Sequence, residues 1–273
     1  MNFKEKSEYG FEDLVEIVRI LRAPDGCPWD REQTHHSIRA NFIEETYEAI
    51  EAIDTEDSEL LKEELGDVLL QVALHSEMES EQNRFDLNGV VDGLCKKLII
   101  RHPHVFGDKT AGNVDEALSN WDEVKRKTKS QKNHTQAMQG VSKALPSLIR
   151  SEKIQRKARK AGLDFGSLEE AFSKLNEECT ELEVAIRHGN EENRYEEIGD
   201  VLFSVVNVAR FLNIDSEHAL QDSCEKFIRR FEMLEKLAEA RGISMDSAST
   251  RQLDSLWDEV KINLKGNNGG NLS

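Results

Sequence analysis

The feature that most constrains this chain is an internal repeat. Glu63-Glu64-Leu65-Gly66-Asp67-Val68-Leu69 returns as Glu196-Glu197-Ile198-Gly199-Asp200-Val201-Leu202. Glu44-Glu45-x-x-Glu48 returns as Glu177-Glu178-x-x-Glu181, and both motifs move by the same 133 residues, since 178 less 45 equals 200 less 67. Glu48 and Glu64 stand 16 residues apart, as do Glu181 and Glu197. Further on, Lys97-x-x-x-Arg101 pairs with Lys226-x-x-x-Arg230, and Trp121-x-x-x-Lys125 with Trp257-x-x-x-Lys261, at offsets changed by loop length. The chain therefore reads as two copies of one architecture.

At 273 residues there is room for two domains, each with its own core. Apolar residues recur at helical spacing, as in Phe11, Leu14, Val15, Val18 and Leu21, or Leu61, Leu65, Val68, Leu69 and Val72, and no stretch alternates as a strand. A 33% charged fraction with four prolines suits helices with wide solvated faces. Helix starts are expected at Ser37, Asn113 and Ser167, the last with Glu170 as a capping box, and helix stops at Gly189 and Gly242. The expected fold is all-α, two tandem helical bundles with four or five helices each. Residues 1–128 form the first domain, whose basic end Lys125, Arg126 and Lys127 leads into a linker over 129–145; 146–265 form the second domain, and 266–273 a disordered tail.

Thirty-six basic against fifty-three acidic residues give a net charge of −17, which argues against a nucleic-acid polymer as partner. The four cysteines are dispersed without a C-x-x-C pair, so reduced thiols and a cytoplasmic setting are expected. No apolar stretch reaches the ~18 residues that a membrane span needs, and no membrane partner is expected.

Residues three apart on a helix share a face, so Glu45 with Glu48, and Glu64 with Asp67, each direct two carboxylates one way. Two such helices facing each other assemble four, and Glu178, Glu181, Glu197 and Asp200 repeat the set. Glu at i and i+3 is ordinary surface decoration in a chain this acidic, but decoration rarely repeats its spacing over two helices. Crowded carboxylates repel by several kcal/mol unless neutralised, and a hard divalent cation is the natural answer. With no His or Cys at ligand spacing, Mg²⁺ is expected, with Mn²⁺ as a substitute. A di-iron bundle would need Glu-x-x-His, and the fourth position is Glu48, Asp67, Glu181 or Asp200 instead. Gly66 and Gly199, costly inside helices, are read as points of close helix approach.

Lys97, Arg101 and Lys125, and again Lys226, Arg230 and Lys261, suit phosphate oxygens not held by metal. Trp121 and Trp257 suit either a nucleobase or the core. Gly26 to Asp30 reads as a turn before the helix that follows Thr34, and His35, His36, His102 and His104 form no metal spacing and receive no chemical role.

With EExxE, ExxGD, PWDREQTH and RHPHVF in place, the chain resembles the MazG family of nucleoside triphosphate pyrophosphohydrolases over roughly residues 8 to 265, in its form with two tandem MazG domains. Glu44, Glu45, Glu48, Glu64 and Asp67 match the acidic signature, as do Glu177, Glu178, Glu181, Glu197 and Asp200. The resemblance implies a helical bundle, homodimers, magnesium dependence and cleavage of ribo- and deoxyribonucleoside triphosphates to monophosphate and pyrophosphate, in nucleotide-pool housecleaning. Glu178 is then a metal ligand and candidate proton acceptor. Lys226, Arg230 and Lys261 are the catalytic cations, with Glu177 and Glu196 beside the substrate. Lys174 and Arg194 add cations to the second domain where the first has Asn41 and Leu61, so the C-terminal domain is expected to be the main catalytic unit. The rival readings are an acidic helical scaffold that docks a partner such as a GTPase, and a pyrophosphatase narrowed to dUTP or a modified nucleotide.

Overall fold

The computed structural model describes residues 3–114, 116, 117, 120, 121, 124 and 133–268. Every regular element among them is helical, and the chain divides into two compact units, Met1–Ser130 and Gln131–Ser273. None of the described helices is long and apolar enough to cross a membrane.

The first unit contains α1 (Phe11–Arg22), α2 (Pro28–Glu32), α3 (Arg39–Asp54), α4 (Ser58–Ser80), α5 (Leu87–Arg101) and α6 (Pro103–Phe106). Helix α4 is its axis, with α1, α3 and α5 packed against it. Val18 of α1, Ile38, Ala73, Leu74 and Met78 of α4 and Leu87 of α5 form the buried cluster. Helices α3 and α4 are antiparallel neighbours because only Thr55, Glu56 and Asp57 join them. Glu56 makes the reversal with φ 55°, and the Asp57 carboxylate accepts from the N–H groups of Glu59 and Leu60 at 3.1 and 3.0 Å, capping α4. Arg22, its side chain 5% exposed, donates to both oxygens of Glu81 and to the carbonyl of Gln33, which ties α1, the end of α4 and the turn after α2 together.

The second unit contains α7 (His134–Gln139), α8 (Ser147–Lys160), α9 (Leu168–His188), α10 (Glu191–Phe211), α11 (Ser216–Ala240) and α12 (Thr250–Asn268). Helices α9 and α10 form the counterpart hairpin, joined through Gly189 and Asn190, with α8 against α10. Ser167 caps α9 by accepting from Glu170 N–H at 3.3 Å, while the Glu170 carboxylate reaches the N–H of Gly166 at 2.8 Å. Leu234 and Ala238 of α11 and Leu256 and Val260 of α12 make a separate buried cluster. A left-handed asparagine follows each of α4 and α10, Asn83 with φ 54° and Asn213 with φ 55°, although the two are not at the 133 offset.

Three expectations change. Gly26 to Asp30 is not simply a turn: Pro28 opens α2 at its first position, where its missing N–H costs nothing. Gly66 and Gly199 mark no close helix approach, because a Cβ at either position would meet open space within 4 Å. Part of the proposed linker is the helix α7, followed by buried Val141, and the backbone of α12 runs to Asn268, inside the proposed tail. Residues 129–132 of that linker and 269–273 of the tail lie outside the described residues.

Buried Arg210 of α10 lies beside Asp164 of the α8–α9 turn, donating through Nη1 at 3.2 Å and through Nη2, and it also meets Asn207 Oδ1. Removing one member of such a pair leaves an uncompensated charge. Asp164→Ala is expected to cost about 3 kcal/mol, whereas Glu232→Ala, which breaks an exposed i,i+4 pair with Lys236, should cost under about 0.5 kcal/mol. Urea unfolding of the full chain checks the difference.

Candidate metal and phosphate site

Each helical hairpin gathers a carboxylate triad. In the first unit Glu45 and Glu48 from α3 meet Glu64 from α4; in the second, Glu178 from α9 meets Glu197 and Asp200 from α10. Within each triad one oxygen per residue lies within 4.8 Å of the others, near enough for a single cation to be shared. Glu64 and Glu178 are the buried members, at 8% and 7% exposure. Asp67 and Glu181, the fourth residues of the expected sets, stand outside these triads but act on them. Asp67 helps hold the Glu45 carboxyl above its usual range, and Glu181 is itself raised by a hydrogen bond with Glu178 and by desolvation.

The two triads differ in how their charge is balanced. Burial, then neighbouring carboxylates, push Glu45 and Glu64 upward. The amide of buried Gln71, one turn beyond Asp67 on α4, hydrogen-bonds Glu45 and offsets part of that shift, while Gln71 Oε1 has no partner among the described residues. Gln71 lies on the same stripe as Glu64 and Asp67, which is the sequence signal that would have found it. In the second unit the Lys174 ammonium sits 2.7 Å from Glu177 and 2.9 Å from Glu178, and these bonds raise its own pKa. Asn41 supplies no charge at the corresponding position of the first unit.

The donor set fits a hard divalent cation. All donors are oxygens, burial and then neighbouring carboxylates push Glu45 and Glu64 toward protonation, and among the described residues neither imidazole nor thiolate joins either triad.

The remaining expected site residues occupy several settings. Lys97 is exposed on α5, and Arg101, at its end, lays its guanidinium over Trp121, 5.4 Å from the ring centre. Lys125 lies outside the described residues. On α11, Lys226 is exposed and Arg230 is half-buried, with no partner for its Nε among the described residues. Lys261 of α12 pairs with Asp258 at 2.6 Å. Trp257 packs on Phe227, ring centres 5.2 Å apart, and against the cluster between α11 and α12. Arg194 donates to the carbonyls of Ala185 and Gly189 at 3.2 and 2.9 Å, capping the C-terminus of α9. Glu196 is exposed, beside Glu197.

Residues 33–106 and 167–234 each match the MazG nucleotide pyrophosphohydrolase domain, so the two matched segments carry the two triads. A nucleoside triphosphate pyrophosphohydrolase/pyrophosphatase MazG of Thermotoga maritima is 40% identical over 251 residues, covering 92% of this chain and 95% of that protein. A nucleoside triphosphate pyrophosphohydrolase of Escherichia coli K12 is 39% identical over 251 residues, covering 91% and 95%. Protein YabN of Bacillus subtilis is 41% identical over 254 residues, which cover 92% of this chain and 51% of YabN. With both repeats matched, and two relatives aligned over nearly their whole length, the chain belongs to the MazG nucleotide pyrophosphohydrolase family.

Proposed function

We propose that the protein hydrolyses nucleoside triphosphates of broad base and sugar type to the monophosphate and pyrophosphate, with Mg²⁺ at its carboxylate triads and the C-terminal unit as the main catalyst. The observation that carries this reading is that each of two equivalent hairpins, in a chain of this family, gathers an oxygen-only triad from the same repeated set of four carboxylates, the first without Asp67 and the second without Glu181. Glu178, Glu197 and Asp200 would hold the ion in the second unit, and Glu45, Glu48 and Glu64 in the first, with Glu181 and Asp67 adjacent. When bound, the cation neutralises phosphate charge and makes a water more acidic, and Mn²⁺ would substitute.

The residues of the chain do the rest. Glu178 accepts the proton of the attacking water and Glu181, hydrogen-bonded to it, shares that proton. The water oxygen bonds to the α-phosphorus while the bond to the α,β-bridging oxygen breaks, and pyrophosphate leaves with that electron pair. Lys226, Arg230 and Lys261 neutralise charge on the leaving group. Lys174 holds Glu177 and Glu178 together, and Arg194 stiffens the end of α9 rather than reaching for phosphate. This asymmetry in Lys174 supports the second unit as the more active one.

The chain also leaves apolar side chains open along the site hairpins. Leu65 and Leu69 of α4 are exposed, and so are Ile198 and Leu202 at the equivalent positions of α10. Faces this apolar, carried by both repeats, support a second copy of the chain as their cover, in line with the expected homodimer. A GTPase partner gains no support from any of these features.

Three outcomes follow. With Mg²⁺ and a panel of triphosphates, product analysis should show monophosphate plus pyrophosphate, abolished by chelation; Glu178→Gln should lower kcat by about 10²-fold or more, and Glu45→Gln by less than about threefold. The metal-free first unit should melt in a pH-dependent way. Glu45 and Glu64 have raised folded-state pKa values, so their contribution is fully present below the ordinary value of 4.5 and lost as pH rises through the raised ones. Calorimetry should therefore show a Mg²⁺-induced gain in Tm at pH 7.5 that shrinks near pH 4.5. In light scattering, the chain should run as a dimer, and Leu69→Glu with Leu202→Glu should shift it toward monomer.

A further inference from the structure

Beyond the triads, α4 carries a second polar cluster that the hydrolytic reading does not use. His35, in the turn before α3, places its Nδ1 2.7 Å from Nδ1 of His75 on α4. The rings lie nearly parallel, 10° apart, and the Phe42 ring of α3 lies against His75 at a tilt of 36°, ring centres 5.6 Å apart. On its far side His35 Nε2 meets Glu79 Oε1 at 2.7 Å, and Arg84, from the turn after α4, grips both Glu79 oxygens at 2.5 and 2.8 Å. Glu79 is the charged group bonded to the pair, and Arg84 acts on it through Glu79. The neighbouring ion pair is Arg22 of α1 with Glu81, and Arg22 also holds the Gln33 carbonyl beside the turn. Helix α3 contributes the uncharged Phe42.

Proton counting fixes what this arrangement tolerates. Because Arg84 keeps Glu79 ionised, Glu79 can only accept, so His35 carries its proton on Nε2. His35 Nδ1 is then an acceptor, and His75 must donate from Nδ1, the less common neutral tautomer. One further proton still fits, since a single hydrogen lies between the two Nδ1 atoms and the positive charge faces Glu79. A second further proton puts hydrogens on both Nδ1 atoms and breaks the contact.

We propose that His35, His75 and Glu79 form a proton-counting latch, specific to the first unit, that fastens the turn at 33–37 to α4 and releases it in acid. The second unit has no equivalent: at the 133 offset His35, His75 and Glu79 become Leu168, Val208 and Leu212. The register is supported by the caps, since Thr34 and Ser37 bond each other at the first turn where Ser167 and Glu170 do at the second. Release would loosen the entry to α3, the helix that presents Glu45 and Glu48. Desolvation, and then the charge of His35, hold the His75 pKa below its usual value. The latch is therefore complete above the unfolded-state value of 6.5 and is lost as pH falls through the lower folded value.

The test needs no activity and so stands apart from the proposed reaction. The full chain, labelled with ¹⁵N-histidine, is titrated by NMR while hydrogen exchange is followed at residues 33–38. The latch predicts an Nδ1-protonated neutral His75, titration of His35 and His75 as one linked pair, and about tenfold lower protection of 33–38 at pH 5 than at pH 7.5 after correction for intrinsic exchange. It also predicts that in His35→Gln the His75 ring titrates in a single, unlinked step. Independent titration of the two rings, or protection unchanged with pH, would overturn it. So would stoichiometric Zn²⁺ binding that shifts both Nδ1 signals, which would make the pair a metal site; the wild-type titration decides even if the variant fails to fold.

Discussion

Like-charge repulsion across a helical hairpin is the constraint on which the rest of this structure depends. Each repeat brings three carboxylates from two antiparallel helices to within 4.8 Å, with one of them buried. No sequence holds such a cluster together by its own attraction. The hairpin is therefore closed from outside the cluster: by the Asp57 cap and the left-handed Glu56 in the first unit, and by Asn190 and Arg194 at the corresponding corner of the second. A cation bound there, as proposed, would offset the remaining imbalance.

The repeats resolve that imbalance differently, and the difference is chemical. In the first unit a neutral amide, Gln71, faces Glu45, and the carboxyls are pushed upward. In the second, Lys174 places a full charge against Glu177 and Glu178. The two units share one scaffold, and different side chains on it place an internal cation in the second and a histidine pair in the first.

Much of this was legible in the sequence. The all-helical class, the two copies and the Ser167 cap follow from periodicity and from residue types with one favourable place in a helix. The i,i+3 geometry and the repeated 16-residue gap point to the four carboxylates of each hairpin, but not to which three come together, Asp67 being left out of one triad and Glu181 of the other. What stayed hidden depends on partners distant in sequence or on the rotation of a helix about its axis. A glycine inside a helix suggests a contact point, yet Gly66 and Gly199 face open space, because helical spacing alone does not say which side a neighbour occupies. Arg194 looked like a phosphate donor by position, but its reach to Ala185 and Gly189 turned it into a cap. His35 and His75, 40 residues apart, show no ligand spacing, and only the packing of the α2–α3 turn on α4 makes them a pair.

The most direct test of the account is where a divalent ion resides. Crystals of the full chain soaked with Mn²⁺ would be measured for anomalous scattering. The account predicts peaks in both hairpins, bounded by Glu45, Glu48 and Glu64 in one and by Glu178, Glu197 and Asp200 in the other. Fully soaked crystals without density at either triad, or with Mn²⁺ bound only elsewhere, would contradict it.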